Sequence, residues 1–448
     1  MTPRLRRAVQ SWLGRTPPPA VLAISYMTLI FLGAAALKLP FMTHEAISIS
    51  DALFTSTSAV TVTGLAVINT AEMLTFWGHL VILLLIQLGG LGLMTFAVLV
   101  LTALGVPLGI THHTYLREDL KQTSYKRLIQ LVKTIFRVVL LAEIAGALLL
   151  CLAFVPSTGL GPGLWHAIFH SISAFNNAGF STFPQGLTAY ATDPVVNSVI
   201  PLLFITGGIG YVVISDIFHQ RFWHGWSLHT RLMLVGSAAL IVVGVGLTAL
   251  LEWNNPHTLG AYDSVAARMT LAWFHGVTPR SSGFVTIDTG ALHESTSLLY
   301  MALMVIGGGS TSTAGGIKVT TLVVMLLATL AFFRRRTEIW AFGRSIGLEE
   351  VLKVMALIAI AVVLVFSATF LMLATQDGDF LAIGFEVVSA FGNAGLSRGY
   401  TSELDGLGRT IIIMIMFLGR VGPLTLGFFL AARVTPRVRY PEGQVHLG

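Results

Sequence analysis

The sequence predicts an all-α membrane protein whose eight spanning helices fall into four parallel repeats, each with a re-entrant half-helix. Three observations point there. Over 448 residues the chain is 54% hydrophobic and only 11% charged, with a mean hydropathy of +0.79, whereas soluble domains carry about 25% charged residues. Eight long apolar stretches recur along it. Within each successive pair of stretches lies a short apolar run that ends at one glycine.

The stretches lie near 21–40, 77–104, 132–155, 195–218, 231–251, 297–333, 351–374 and 409–432. Most fit the ~20 residues needed to cross hydrocarbon. The longer ones, 77–104 and 297–333, need a tilt or a break. Ahead of the first, "MTPRLRRAVQSWLGRTPPP" has no cleavage site, so it reads as a cytoplasmic segment rather than a signal peptide. Basic residues set the orientation. Arg4, Arg6, Arg7 and Arg15 precede span one, and Arg117, Lys121, Lys126 and Arg127 separate spans two and three. Arg221 follows span four; Arg334, Arg335, Arg336 and Arg344 follow span six; Arg433, Arg437 and Arg439 follow span eight. All fall on one face, which is therefore cytoplasmic, with both termini on it. The other face holds Glu45, Asp51, Asp193, Asp263, Asp288, Asp377, Asp379, Glu403 and Asp405, an acidic surface that concentrates cations. The net charge of +6 thus reflects topology, not nucleic-acid binding. A single cysteine, Cys151, excludes an intrachain disulfide, and the histidines form no HExxH pattern; His112 and His113 read as loop residues.

Aligned on Gly64, Gly179, Gly283 and Gly395, the four runs read SAVTVTGL, SAFNNAGF, VTPRSSGF and SAFGNAGL, at spacings of 115, 104 and 112 residues. That is one unit repeated four times. Each apolar run is too short to cross and return as two helices, so a half-helix followed by an extended strand fits. Such backbone survives at membrane depth only where protein buries it or it lines a wet cavity. Ordinary glycine-containing surface turns are the bland alternative, and four copies at matching topological positions argue against it. Around one axis, four strands bring backbone carbonyls together, which is how a dehydrated potassium ion is held. Glycine serves where the backbone turns with positive φ. No ring of carboxylates is present in the strands. The candidate coordinating backbone is Thr61, Val62, Thr63 and Gly64; Asn176, Asn177, Ala178 and Gly179; Arg280, Ser281, Ser282 and Gly283; and Gly392, Asn393, Ala394 and Gly395.

These four loops, the Gly-Ser-Thr interruption of the sixth span and "FLGRVGPLTL" in the eighth resemble the Trk/Ktr/HKT superfamily of potassium transporters, most of all the Ktr-type membrane subunit. The resemblance covers essentially the whole chain. Trk-type relatives have two further N-terminal spans, for which the segment before span one leaves no room. It implies four M1-P-M2 units around a central ion pore: 19–105, 106–222, 223–337 and 338–434, with cytoplasmic segments at 1–18 and 435–448. It also implies potassium uptake across the cell membrane, sodium as a candidate activator, a homodimer, and a cytosolic ring of nucleotide-binding RCK domains. No GxGxxG fingerprint follows a strand here, so a nucleotide is expected on that partner, with no prosthetic group on this chain. The departures from a TVGYG-like filter leave the strictness of potassium over sodium open. Arg280, beside Pro279, is either a solvated rim charge or a brace for the third loop.

The sixth span carries "IGGGSTSTAGGIKVTTL". It is no phosphate-binding loop, because Ile317 separates Gly316 from Lys318. Gly307, Gly308, Gly309, Ser310, Thr311, Ser312, Thr313, Ala314, Gly315 and Gly316 cannot hold a straight lipid-facing helix, so span six is expected as two half-helices with this loop as a gate below the filter. The alternative is a packing interruption that lets helices approach closely. Lys318, at the loop's inner end, pairs with a carboxylate or faces the cytoplasmic cavity. Arg420, central in span eight, is either an electrostatic barrier under the filter, which the resemblance supports, or a structural partner of Glu143 or Asp216. Two rival functions remain: a secondary transporter of another solute with discontinuous helices, which calls for inverted repeats, and an intramembrane enzyme, for which no nucleophile and base stand together.

Overall fold

Long runs of aliphatic residues without turn formers make the frame, in the computed structural model that describes residues 18–92, 125–220, 222–336 and 338–422. The first unit contains α1 (Pro18–Leu37), α2 (Ile49–Thr61), the single turn α3 (Thr70–Met73) and α4 (Phe76–Gly90). The second contains α5 (Tyr125–Thr158), α6 (Leu160–Phe175), α7 (Pro194–Ile209) and α8 (Tyr211–His219). The third contains α9 (Leu228–Glu252), α10 (Val265–Val277), α11 (Glu294–Val305) and α12 (Val319–Phe333). After a hairpin, β1 (Ile339–Ala341) and β2 (Arg344–Ile346), the fourth contains α13 (Leu348–Thr375), α14 (Phe380–Gly392) and α15 (Gly406–Val421).

The chain is a helical membrane protein. Ala20–Leu37, Thr134–Thr158, Leu228–Glu252 and Leu348–Thr375 are each long and apolar enough to cross a membrane, and α7 with α8 makes a fifth candidate bent by 91°. Their outward faces carry exposed Phe31, Leu148, Leu152, Val242, Leu250, Val362 and Phe366. So much exposed apolar surface is stable only against hydrocarbon. Short polar caps start the helices. Ser48 and Asp51 form a capping box on α2, and Asp193, Asp379 and Asp405 accept from the first-turn N–H groups of α7, α14 and α15. These bonds satisfy donors that a helix start leaves unpaired.

One contact pattern repeats and closes. Each long first helix packs on its own half-helix: α1 on α2, α5 on α6, α9 on α10, α13 on α14. Each second helix then packs on the half-helix of the next unit: α4 on α6, α7 on α10, α11 on α14, and α15 back on α2. Arg409 and Asp51, 2.7 Å apart, join the last unit to the first. The chain therefore goes once around a ring.

Two features depart from the sequence expectation. Span four is not continuous, because Gly210 has φ +104° and separates α7 from α8. Gly92 and Gly422, at the ends of the described parts of spans two and eight, have φ of +78° and +94°. The chain is also not wholly helical: Ile339 pairs with Ile346 and Ala341 with Arg344, and Phe342 and Gly343 both have positive φ, as a tight two-residue hairpin turn needs. The basic clusters around Arg117 and Arg433, the inner parts of spans 77–104 and 409–432, and the two terminal segments lie outside the described residues.

Candidate functional site

The four aligned glycines meet. A Cβ built on Gly179 would stand 2.8 Å from Gly283 Cα, one on Gly283 would stand 3.0 Å from Gly179 Cα and 3.3 Å from Gly395 Cα, and one on Gly395 would stand 3.1 Å from Gly64 Cα. The carbonyl before each glycine turns to the glycine of the unit before it. Thr63 O lies 2.2 Å from a Cβ on Gly395, Ala178 O 2.5 Å from one on Gly64, Ser282 O 2.9 Å from one on Gly179, and Ala394 O 3.0 Å from one on Gly283. The result is a ring of four glycines and four carbonyl oxygens in which no side chain fits.

The backbone explains how the ring forms. The glycines have φ of +95°, +69°, +74° and +75°, and two residues earlier Val62, Asn177, Ser281 and Asn393 also have positive φ. Positive φ is costly for residues with a Cβ, so four such residues, each two places before a positive-φ glycine, mark a built strand. The half-helices end where these strands begin. Val62 and Asn393 are the left-handed caps of α2 and α14. Four helix C-termini converge on the ring, and each carries about half a negative charge. Thr63 N, Ala178 N and Ala394 N each bond the carbonyl five residues back, at 2.8 to 2.9 Å, whereas Ser282 N reaches Thr278 O, four back, at 3.2 Å. The third loop, with Pro279 and Arg280, is thus wound differently.

The interruption of span six lies against one end of this ring. Thr313 Oγ1 donates to Asn177 Oδ1 at 2.8 Å, and Gly315 N donates to Ser281 Oγ at 3.1 Å. Ser281 Oγ in turn donates to Asn393 O at 2.8 Å. A Cβ on Gly315 would stand 2.2 Å from Asn393 Oδ1, and one on Gly316 3.4 Å from Gly392 Cα. The loop also repairs the break at Gly210: Gly309 N donates to Gly208 O at 2.7 Å, Thr313 N to Gly207 O at 3.3 Å, and Tyr211 N to Thr311 O at 3.1 Å. A broken helix inside a membrane must have its freed backbone groups satisfied in this way. Within the loop, Ile306 bridges Ile317, Ser312 Oγ donates to Gly309 O at 2.7 Å, and Thr311 Oγ1 donates to Ser310 O at 2.6 Å.

Arg420 holds the loop from the fourth unit. Its guanidinium donates to Thr313 O and to the Gly89 and Gly90 carbonyls at the end of α4. The pairing with Glu143 or Asp216 that the sequence left open is not made. Glu143 Oε1 accepts from Asn176 Nδ2 at 3.2 Å, and Asp216 accepts from Ser227 N and Thr230 Oγ1. Helix-end carbonyls replace a carboxylate as the partner of Arg420. Lys318 Nζ donates to Ala314 O at 2.8 Å, again to a carbonyl. Both cations line a cavity of about 260 Å³ with Gly90, Tyr211, Ala314 and Gly316, and none of the four core segments lines it. On the other side of the ring a cavity of about 350 Å³ is lined by Gly64, Gly179, Asn69, Thr70, Ser181 and Ser402.

Arg280 does not stand at a rim. It is 9% exposed, turns behind the third loop, and reaches Ser237 Oγ at 3.3 Å and Ser237 O at 3.5 Å. The brace alternative therefore describes its placement. Asn176 likewise turns away from the ring, to Gln87 Oε1 at 2.8 Å and to Glu143. Sequence reasoning missed the partners of the loop on α7, although "GGIG" at 207–210 was a visible signal inside an apolar span.

Known proteins bear on this geometry. A protein 44% identical, covering 98% of both chains, is the Ktr system potassium uptake protein B of Bacillus subtilis. The protein of the same description from Vibrio alginolyticus is 38% identical over 96% of this chain and 95% of its own. The crystal structure of the potassium transporter TrkH from Vibrio parahaemolyticus superposes with a TM-score of 0.74, covering 93% of this chain and 86% of that one, at 22% identity, a likeness of fold. Residues 20–436 match the family model described as TrkH, cation transport protein, and the chain belongs to that family.

Proposed function

We propose that this chain is the potassium-conducting membrane subunit of a Ktr-type uptake system in the cell membrane. The observation that carries the proposal is the ring: four positive-φ glycines, each against a carbonyl of a neighbouring unit. In this reading α2, α6, α10 and α14 are the pore helices of four M1-P-M2 units, and the strands after them are the filter. Carbonyls of the four segments replace the water around a potassium ion, and the helix C-termini hold the cation by their dipoles. The ion enters from the acidic outer face and leaves through the 260 Å³ cavity. The names borne by the relatives support potassium as the cargo. The chain is not an enzyme; it moves an ion without changing it.

The loop at 306–318 is the gate. Its residues 313–316 occupy the inner end of the ring, where a cation must pass. Arg420 adds a positive charge at the same place and ties the loop to α4, so it is both barrier and latch. A cytosolic RCK ring that binds nucleotide pulls on the spans that flank the loop and biases it between two positions. Two chains form the membrane dimer, and sodium acts as activator. The solute-transporter alternative calls for inverted units, whereas the helix contacts run in one direction around the ring. The test is flux of potassium, rubidium and sodium into liposomes holding the full-length chain, with and without the RCK partner. Potassium and rubidium uptake that the partner modulates is the expected result. A chain that folds and passes no alkali cation overturns the proposal.

A further inference from the structure

Three of the half-helices each carry a fully buried, ionisable side chain that faces its own outgoing strand. These are His170 on α6, His275 on α10 and Glu386 on α14, all 0% exposed. His170 Nε2 lies 2.9 Å from Ser181 Oγ, His275 Nε2 lies 2.9 Å from Thr286 Oγ1, and Glu386 Oε2 accepts from Ser397 Oγ at 2.8 Å. The two partners are eleven residues apart every time. In the first unit the same spacing joins Thr55 to Ala66. Alanine offers no partner, and the Thr55 hydroxyl has none among the described residues.

The geometry fixes what each group does. His170 Nδ1 faces the His166 carbonyl at 2.8 Å, so it carries the proton and Nε2 accepts from the Ser181 hydroxyl. His275 Nε2 also faces the N–H groups of Thr286 at 3.1 Å and Ile287 at 3.2 Å. Two backbone donors aimed at one ring nitrogen assign it the bare, accepting role, which puts the proton on Nδ1, an atom with no hydrogen-bond partner among the described residues. Glu386 takes a second hydroxyl, that of Thr401, on its other oxygen. Each is an acceptor buried in the wall, and each draws the strand toward that wall. Ser181 and Ser397 stand two residues beyond their glycines and Thr286 three beyond, where the strand leaves the ring. A buried acceptor that loses its donor is costly, so these bonds resist inward drift of the strand.

We propose that His170, His275 and Glu386 are positioning residues that set the width of the glycine ring from its outer side, and with it the choice among alkali cations. Three units make this bond; the first does not, and there Ser58 Oγ accepts from Gly64 N at 3.0 Å instead. This rests on the ring being the filter, so the test includes a variant of the ring itself. The measurement is the ratio of potassium to sodium flux in liposomes holding the full-length chain, per folded protein. Ser181→Ala and Ser397→Ala each remove one hydroxyl and little volume. Each is expected to lower the ratio about fivefold, which is roughly 1 kcal/mol. His275→Leu lowers it at least as far, and His275→Gln, whose Oε1 reaches toward the same N–H groups, restores most of it. Thr55→Val, in the unit without this bond, leaves the ratio as it was. If the two alanine variants keep the wild-type ratio while Gly395→Ser loses it, the three residues are mere packing and the proposal falls. If Gly395→Ser keeps it too, the filter reading falls first. Should His275→Leu fail to fold, the two alanine variants decide alone.

Discussion

Replacing Gly395 by serine sets a Cβ against the tightest point of the ring. The new atom would lie 2.2 Å from Thr63 O, where ordinary contact begins at 3.4 Å. The Thr63 carbonyl must therefore retreat by about 1 Å, or the fourth strand must, and the φ of +75° adds about 1–2 kcal/mol against any residue with a Cβ. At Gly283 the same substitution meets Ala394 O at 3.0 Å, a conflict of only a few tenths of an ångström, at a nearly equal φ of +74°. The two variants thus share the backbone penalty and differ in displacement. If the ring is the filter, as proposed, an oxygen moved by about 1 Å no longer matches a dehydrated potassium ion, and a loss of about 1.4 kcal/mol in discrimination is tenfold. The expected order is a loss of potassium over sodium of tenfold or more for Gly395→Ser and a smaller loss for Gly283→Ser. Liposome flux of the two ions, normalised to folded protein, reads it directly. Equal wild-type ratios in both variants, or a larger loss at Gly283, would refute the carbonyl-ring argument.

The gate and the frame lend themselves to simpler tests. Arg420→Ala removes the donor to Thr313 and Gly89 and strands no carboxylate, so maximal potassium flux should rise with apparent affinity little changed; unchanged flux per folded molecule removes the barrier role. Deleting 310–314 takes away the Thr313–Asn177 bond and should raise flux several-fold, weaken dependence on the proposed cytosolic partner and leave ion preference nearly intact, to be read as flux with and without an RCK ring. Gly210→Ala puts a Cβ 2.5 Å from Ser310 O at a φ of +104°, which pushes the loop off its seat; higher basal flux is expected, and tighter closure contradicts the seating. Arg409→Ala opens the partly buried pair with Asp51 and should lower stability by ~1 kcal/mol or less, read as a small drop in melting temperature, with no change in selectivity.

Much of this could be read before any coordinates. The aligned cores located the four positive-φ glycines of the ring, because a backbone that must turn without a Cβ leaves glycine at a fixed register. The broken sixth span was legible as well, since glycines and hydroxyls in mid-segment violate the pattern of a lipid-facing helix. The break at Gly210 was not read, although it lies in a short "GGIG" motif, because one polar-free glycine cluster inside an apolar run is also compatible with an intact helix. The hairpin at β1 and β2 escaped for a different reason: its strands are three residues each, too short for a period-two pattern to stand out.

Partners were the least legible part. Arg420 was weighed against Glu143 and Asp216 because carboxylates are the obvious partners of a buried guanidinium, yet backbone carbonyls serve, and every residue has one. Arg280 offered two environments that no neighbour in sequence distinguishes, and it turned behind its loop to Ser237, 43 residues away. By itself the sequence determined the membrane class, the fourfold repeat and the register of the glycines, since hydropathy and repetition are properties of the chain read along its length. Only the tertiary structure decided that the fourth unit closes on the first, that the loop sits against Asn177, Ser281 and Asn393, and that Arg420 holds it there. Those contacts join residues 34, 107, 136 and 358 positions apart, and which of many carbonyls a side chain reaches is set by the packing of helices in space.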